Sequence, residues 1–337
     1  MRIAVPKETY PLEKRVILNS GAVKRLVEAG QEVFVQSTAA AGINISDRDY
    51  QDAGAKIVTE ARDLYELAEL VIKVRAPSPE EFSLMHDLTL FSMFHSTQNP
   101  ALIYYAGKQN IVIVEMESVR DEKQKRMIDQ TGITGKAGVY YALQHSPKMP
   151  DEMKAVILGY GNVSSGAIEA CSQLGLQFKI VRKGEFKYIP KYLEDADILI
   201  NGIAWPESRR SKREYLVTRE EIRNSPKGMI VLDLSVDFPN PIETVHPTTY
   251  SQPYYLEEDR IHISLYGYPG LVPVTSTRIY SRQVEPLALL IARNGGLEGI
   301  DKRGDLGIAI KKAIIDPRKS DWRKHRPPEV SPGSKIE

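Results

Sequence analysis

The residues whose spacing most clearly points to chemistry form a glycine motif after a short apolar segment. Residues 154–158 read KAVIL and run directly into G-x-G-x-x-S, where a helical pattern begins. The first glycine permits a tight turn, the second lets the backbone approach a pyrophosphate, and the helix N-terminus offers N–H groups to that anion. The residues predicted to bind the cofactor here are Gly159, Gly161, Asn162, Val163 and Ser164. Ser164 stands where a third glycine is usual, and a structural turn without a ligand is the alternative.

The end of the next predicted strand indicates which dinucleotide binds. NAD-binding sheets usually carry a carboxylate there for the ribose 2′-hydroxyl, but this strand ends in Arg182 and Lys183, and the first carboxylate is Glu185. A guanidinium can bind a 2′-phosphate through two hydrogen bonds, so NADP is predicted in preference to NAD. A pair of solvated charges at a strand end is the alternative. The following strand ends in three residues predicted to lie along the cofactor: Asn201, Gly202 and Ile203.

Two series of apolar segments alternating with helical patterns must position these residues. Strands of the first series are predicted at residues 2–6, 32–36, 69–75, 88–94 and 111–116. Strands of the second are predicted at residues 154–158, 177–182, 197–202, 229–234 and 260–265. This alternation predicts an α/β fold of two Rossmann-like, doubly wound parallel-sheet domains with a cleft between them.

A long helical pattern over residues 275–293 suggests that the chain returns to its first domain. We therefore predict a discontinuous substrate domain, 1–130 plus 280–337, and a dinucleotide-binding domain, 131–279. The tail, 316–337, holds four prolines and many charges, so it should be a strap or disordered.

Composition excludes several classes of protein. Forty-five basic and 44 acidic residues give a net charge of +1, which leaves no excess positive charge for a nucleic-acid partner. A single cysteine excludes an intramolecular disulfide and a zinc site of cysteines, and no metal site is predicted. The opening has no signal-peptide pattern, and the apolar runs are far shorter than the ~20 residues of a membrane span. We expect a soluble, cytoplasmic protein without a membrane partner.

Several spaced segments, in one order, resemble the alanine dehydrogenase and pyridine nucleotide transhydrogenase superfamily. They are MRIAVPKE with Arg15 following, VIKVRAPSPEEF, Phe94-His95, LGYGNVSSGA, LDLSVD, HPTTY and PVTST. The resemblance covers about residues 1–300. The superfamily also contains lysine-forming saccharopine dehydrogenases and N5-(carboxyethyl)ornithine synthase, and GYGNVSSGA with a basic strand end is closest to the latter type.

The resemblance implies roles for three residues. Arg15 matches the family's carboxylate-binding arginine, with a surface arginine as the alternative. His95 matches the catalytic histidine, and histidine can give and take a proton near pH 7; a structural histidine at a strand end is the alternative. Asp237 matches the active-site aspartate that contacts the substrate amine and the nicotinamide side, whereas Asp233 could equally be a buried cap.

Two positions depart from the family pattern. Arg75 falls on the family's catalytic lysine, and an arginine cannot act as a proton shuttle. Arg75 and Lys73, two apart on one strand, are predicted to hold a second anionic group, with two cations on a solvated face as the alternative. Gly267, in the stretch that resembles the segment packing on the nicotinamide, stands where alanine dehydrogenases carry an asparagine.

These observations predict an NADPH-dependent oxidoreductase acting at the C–N bond of an amino acid, by reductive condensation with a 2-oxo acid to give an opine. Oxidative deamination, as in alanine dehydrogenase, is the alternative, and a non-catalytic NADP(H) sensor is the alternative from another class. The partners expected are a small-molecule amino acid, a 2-oxo acid and further copies of this chain.

Overall fold

The computed structural model describes residues 1–300 and 304–327. Within them the chain forms β-strands β1–β13 and α-helices α1–α12. The strands are β1 Arg2–Val5, β2 Glu32–Gln36, β3 Lys56–Val58, β4 Leu70–Arg75, β5 Thr89–Met93, β6 Val112–Glu115, β7 Lys154–Leu158, β8 Gln177–Val181, β9 Ile198–Asn201, β10 Ile230–Asp233, β11 Tyr255–Glu257, β12 Arg260–Ile263 and β13 Ile314–Ile315. The helices are α1 Ser20–Glu28, α2 Asp47–Asp52, α3 Ala61–Leu67, α4 Pro79–Phe82, α5 Ala101–Lys108, α6 Thr131–Leu143, α7 Asn162–Gln173, α8 Ile189–Leu193, α9 Glu207–Arg210, α10 Arg219–Asn224, α11 Pro273–Arg293 and α12 Asp305–Lys312.

The chain divides into two units. Unit 1 comprises Met1–Asp129 and the described residues from Pro273 onward, and unit 2 comprises Gln130–Val272. The return to unit 1 therefore begins seven residues before the predicted position, 280. The reason is that α11 is one continuous helix whose apolar side chains, among them Tyr280, Val284 and Leu287, join the core of unit 1.

Unit 1 is built on a seven-stranded sheet in the order β13-β6-β5-β4-β1-β2-β3. Its pairings are parallel except that β13 runs antiparallel to β6. The strand order reverses between β1 and β4, so the carboxyl ends of these two strands form a topological switch point, where ligands of open α/β sheets bind. Buried side chains on both faces of the sheet belong to two apolar clusters.

Unit 2 carries a six-stranded sheet in the order β11-β12-β10-β9-β7-β8, parallel except for β11. Here the order reverses between β7 and β9, and the glycine motif follows β7. The predicted α/β class with two doubly wound parallel sheets is thus confirmed.

In unit 2 two helices approach each other closely through glycines. A Cβ on Gly166 of α7 would lie 2.1 Å from the carbonyl oxygen of Gly132 in α6, and a Cβ on Gly135 would lie 2.3 Å from the carbonyl oxygen of Val163. Both contacts are with backbone, which cannot move aside as a flexible side chain can. These two close contacts fix the position of α7 against α6, and α7 carries the glycine motif at its N-terminus.

We expect Gly166→Ala to destabilise unit 2, because overpacking of this kind typically costs about 1–3 kcal/mol. Gly132→Ala is the matched control, since a Cβ there meets nothing within 4 Å, and in a helix alanine is favoured over glycine. The melting temperature measures both. Equal melting temperatures for the two variants would contradict the close contact.

The segment after β13 lies along α5. The indole of Trp322 leaves no room for a Cβ on Gly107 (2.4 Å), and its ring centroid is 5.5 Å from that of Tyr104. Residues 316–327 of the predicted strap or disordered tail therefore form a strap on unit 1, and residues 328–337 lie outside the described residues. In the described part of the chain, no helix combines the length and apolarity needed to cross a membrane.

Candidate active site

The glycine motif forms a tight strand-to-helix turn at the switch point of unit 2. Gly159 has φ +86, which favours glycine, and the side chain of Ser164 is fully buried beneath the turn. A Cβ on Gly202, at the end of β9, would lie 2.1 Å from Ser164 Oγ. The serine that replaces the usual third glycine is thus accommodated because the neighbouring strand end is itself glycine.

The same turn fits the pyrophosphate of a dinucleotide. A Cβ added to Gly161 would meet nothing within 4 Å, so space is open beside this backbone. Gly161 is the N-cap of α7, and no side chain in the described residues caps the helix. Its first N–H groups, including those of Asn162, Val163 and Ser164, are therefore oriented to bind an anion at the positive end of the helix dipole.

Basic and aromatic side chains meet at the end of β8. The guanidinium of Arg182 lies 5.5 Å from the ring centroid of Tyr160, the middle residue of the glycine turn. The carboxylate of Glu185 accepts the backbone N–H of Arg182 (3.2 Å) and the ammonium of Lys179 (2.6 Å), and these bonds lower its pKa. Glu185, the first carboxylate after this strand, is therefore already hydrogen-bonded to Arg182 and Lys179.

Asp233 and Asn201 form a buried polar cluster below the ends of β9 and β10. Asp233 accepts hydrogen bonds from Asn201 Nδ2 (2.8 Å), Ser264 Oγ (2.7 Å) and the N–H of Val236 (3.0 Å). Asn201 Oδ1 in turn accepts the N–H of Ile203 (3.1 Å). Asp233 is thus the buried cap that the sequence left as one option, and it shapes the strand ends predicted to lie along the cofactor.

Asp237 lies four residues beyond Asp233 and keeps partial access to solvent. Its Oδ2 accepts the N–H of Trp205 (2.7 Å), and its Oδ1 lies 3.8 Å from Nη1 of Arg210. Burial raises the pKa of this carboxyl, and the Trp205 N–H and Arg210 oppose the rise. Further along, Gly267 has φ +104 and its carbonyl accepts the hydroxyl of Tyr250 (2.6 Å), so this backbone conformation favours the glycine found there.

In unit 1 one buried carboxylate joins the two predicted anion-binding arginines. Glu13 accepts both Nε (2.7 Å) and Nη2 (2.5 Å) of Arg15, and its Oε2 also accepts Nε of Arg75 (2.8 Å). The Arg75 guanidinium stacks on the ring of Tyr10, 3.9 Å from its centroid. Burial alone would raise the pKa of Glu13, but the two arginines lower it to about 2. The Glu13 carboxylate therefore balances the charge of only one of the two guanidinium groups that it contacts.

Lys73 is engaged in a different ion pair. Its side chain is 1% exposed, and its ammonium lies 2.5 Å from Glu81 Oε1 and 3.9 Å from Glu8 Oε2. The hydroxyl of Tyr65 also donates to Glu81 (2.5 Å). Lys73 is therefore not on a solvated face, and its charge is matched by buried carboxylates, whereas Arg75 joins Arg15. Glu8 also accepts the N–H groups of Val74 (2.6 Å) and Arg75 (3.3 Å), which fixes the end of β4.

His95 follows β5, next to β4 in the sheet, and rests on a carboxylate from the end of β6. Its Nδ1 lies 3.2 Å from Glu117 Oε1, and Glu117 also accepts the backbone N–H groups of Phe94 and His95. Burial and the nearby Glu115 raise the pKa of Glu117 to about 7. Burial and the nearby Arg126 lower the pKa of His95. A carboxyl group with a pKa of about 7 and a histidine whose pKa is lowered thus share one contact.

Three residues of this arrangement were not predicted as site residues: Glu13, Glu117 and Arg210. Glu13 stands two positions before Arg15, and Glu117 follows the predicted strand 111–116. A carboxylate at the same sheet edge as a predicted catalytic histidine was a usable signal for Glu117. Arg210 had none, because a segment with four basic residues usually indicates a solvated surface.

We expect Glu13→Gln to reduce the free energy of unfolding by about 3–5 kcal/mol at pH 7, because two guanidinium groups would lose their buried carboxylate. The folded pKa of Glu13 lies below its unfolded value of 4.5, so the carboxylate's contribution is fully present above pH 4.5 and is lost as the pH falls toward 2. In urea unfolding, the free energy of unfolding of the variant should lie below that of the wild type by the same amount at pH 8 and pH 6. At pH 4 the difference should be smaller. The control is Glu28→Gln, which removes an exposed carboxylate near Lys24 and should cost less than about 1 kcal/mol. A destabilisation by Glu13→Gln that grows toward pH 4 would contradict this account.

Both an N-terminal and a C-terminal segment of the chain match domains of known proteins. The family model for the alanine dehydrogenase/PNT N-terminal domain matches residues 4–132, and that for the C-terminal domain matches residues 180–310. An alanine dehydrogenase of Bacillus subtilis (strain 168) is 28% identical, with 93% of this chain and 91% of that protein covered. One of Methanococcus maripaludis is 27% identical, with 88% of each covered.

Solved structures agree. An L-alanine dehydrogenase superposes with a TM-score of 0.84 at 26% identity, over 96% of this chain and 99% of that one. A transhydrogenase from Sinorhizobium meliloti shares the fold with a TM-score of 0.74 at 21% identity, over 86% and 93% of the two chains. These matches identify the chain as an NAD(P)-dependent oxidoreductase. The chain belongs to the alanine dehydrogenase/pyridine nucleotide transhydrogenase superfamily, as the sequence resemblance indicated.

Proposed function

We propose that this protein interconverts an amino acid and its 2-oxo acid by oxidative deamination and reductive amination, with a pyridine nucleotide as cofactor. The observation that carries the proposal is the edge of the unit 1 sheet, where the Arg15–Glu13–Arg75 cluster and the His95–Glu117 pair follow the adjacent strands β1, β4, β5 and β6. The relatives named alanine dehydrogenase support this reaction in preference to the condensation predicted from sequence.

The residues of unit 1 divide the work between binding charge and moving a proton. Arg15 and Arg75 bind the substrate carboxylate through charge-assisted hydrogen bonds, and Glu13 orients both guanidinium groups. Glu117, once ionised, accepts Nδ1–H of His95 and leaves Nε2 to take a proton from the water or amine that reacts. Because burial lowers the pKa of His95, the neutral, proton-accepting form predominates near pH 7.

Unit 2 contributes the amine contact and the cofactor turn. Asp237 accepts a hydrogen bond from the substrate amine, as the family resemblance implies. Gly159, Gly161 and the α7 N-terminus would hold the pyrophosphate, and Gly202 and Gly267 would border the nicotinamide nucleotide. When bound, the nicotinamide supplies or accepts the hydride. Assembly into a homo-oligomer and a cytoplasmic location stay predictions.

The test is a kinetic assay that varies the amine source. With pyruvate and other 2-oxo acids, reduced cofactor should be consumed when ammonium is the only amine. His95→Ala should lower kcat by roughly 10²–10⁴ and leave cofactor affinity unchanged. His86→Ala, an exposed histidine of the same unit, is the control and should keep full activity. Turnover that survives in His95→Ala would assign the proton transfer to another group.

A second candidate function is the reductive condensation of an amino acid with a 2-oxo acid. The favouring observation is Arg75, which takes the place of the family's lysine and shares Glu13 with Arg15. Its guanidinium binds anions but does not transfer protons at working pH, which suits a product with two carboxylates. Consumption of reduced cofactor that requires an amino acid and not ammonium, with a condensed product by mass, would select this reaction. Cofactor binding without any turnover would instead indicate a non-catalytic NADP(H) sensor.

We further propose NADP(H) as the preferred cofactor, supported by Arg182 and Lys183 beyond β8 and by the position of Arg182 over Tyr160. NADPH should bind at least about tenfold tighter than NADH, a difference of about 1.4 kcal/mol, in a fluorescence titration. Arg182→Asp should erase or reverse that preference. Lys187→Asp makes the same charge change in the same turn, where Lys187 stacks on Tyr188, and should preserve it. Equal wild-type affinities would contradict the prediction.

A further inference from the structure

One face of α11 holds the loop that carries Arg15. The side chains of Thr277 and Ser281 accept the backbone N–H groups of Val16 (3.2 Å) and Asn19 (2.9 Å). The helix and the loop also share the apolar core of unit 1. This part of α11 is therefore fixed against the residues that directly follow Arg15.

Tyr280 lies on the same face of the helix, three residues after Thr277. It is 4% exposed, and burial raises the pKa of its phenol to about 12. The charged groups that also act on this phenol are Arg15, Glu13, Arg75 and Glu117. Near neutral pH the phenol is therefore an uncharged hydrogen-bond donor among the charged groups of unit 1.

The hydroxyl of Tyr280 differs from those of the other buried tyrosines. Four tyrosines are buried in the described part of the chain. Three of them donate to acceptors of the chain, namely Tyr50 to the carbonyl of Leu18 (2.7 Å), Tyr65 to Glu81 (2.5 Å) and Tyr268 to the carbonyl of Asp233 (2.6 Å). The Tyr280 hydroxyl has no hydrogen-bond partner among the described residues, and it is not one of the fully covered atoms that lack a partner, so it keeps access to solvent. Because buried tyrosine hydroxyls usually find a partner, this one is available to a ligand.

We propose that Tyr280 donates a hydrogen bond to the substrate carboxylate bound at Arg15 and Arg75. The inference rests on the proposed function, which places that carboxylate there, and all the groups that it needs belong to unit 1. The two guanidinium groups already share Glu13, whereas the phenol donates to no carboxylate of the chain. A phenol also adds no charge beside the two arginines, and a hydrogen bond to an ionised acceptor is stronger than one between neutral groups.

A different role for Tyr280 would be only to fill the core of unit 1. The two roles make opposite predictions for Tyr280→Phe, because this change removes the hydroxyl and keeps the ring. If the residue only fills the core, the variant keeps its substrate affinity. If the hydroxyl binds substrate, the variant loses affinity and keeps its stability, since no hydrogen bond within the chain is lost.

The experiment is calorimetric titration of the full chain, saturated with reduced cofactor and free of ammonium, with pyruvate and 2-oxoisocaproate as probes. Tyr280→Phe should weaken the binding of each probe that the wild type binds, by about tenfold or more and to the same extent, because the carboxylate is common to both. In steady-state kinetics KM for the 2-oxo acid should rise by a similar factor, and kcat should stay within about threefold. The melting temperature should stay within about 1 °C of the wild type.

The matched control is Tyr50→Phe, which removes the same atom from a buried tyrosine that contacts the same loop, at Leu18. It should lower the melting temperature by about 2–4 °C, because a buried carbonyl loses its donor, and it should keep the affinity for both probes. Unchanged affinity in Tyr280→Phe, an equal loss in Tyr50→Phe, or a loss confined to kcat overturns the inference. Binding that depends on Tyr280, without turnover in the presence of ammonium, would keep the inference and overturn the proposed reaction. A wild type that binds neither 2-oxo acid overturns both.

Discussion

The carboxylate of Glu13, buried between two guanidinium groups, is the interaction on which the substrate-binding edge depends. Without it, Arg15, in the loop after β1, and Arg75, the last residue of β4, would repel each other. With it, the two cations are fixed in relative position and still carry a net positive charge. A single acidic side chain thus makes a cationic site possible in the interior of the unit.

The same principle recurs along the carboxyl edge of the unit 1 sheet. Glu8 binds the backbone at the end of β4, Glu81 neutralises Lys73, and Glu115 and Glu117 accept donors from the turn after β5. The residues that match the family's substrate-binding or catalytic positions are therefore held by acids that the substrate need not touch. Glu117 differs from the others, because its raised pKa of about 7 lets it share a proton with His95 near neutral pH.

The sequence allowed prediction of the elements whose pattern is local. β2 and β7 have the bounds that alternation predicted, and the turn after β7 was recognised from its glycines. The short strands β3, β11 and β13 were missed, because two or three residues are too few to show a period. The pairings of Lys73 with Glu81, and of Glu13 with two arginines, could not be predicted either, because they depend on which loops the fold brings together. Arg210 was missed for a related reason, since only the folded segment shows that one of four basic residues turns inward.

The discontinuity of unit 1 has a consequence for how the chain is made. The sheet of this unit gains β13, and its core gains the apolar face of α11, from residues that follow the whole of unit 2. Synthesis from the N-terminus therefore delivers every residue of the dinucleotide-binding unit while the first unit still lacks a sheet edge and a core helix. The cofactor turn can be in place on the ribosome before the arginine cluster has its final surroundings. Until then the unpaired edge of β6 and the uncovered core of unit 1 are the surfaces that a chaperone would have to shield.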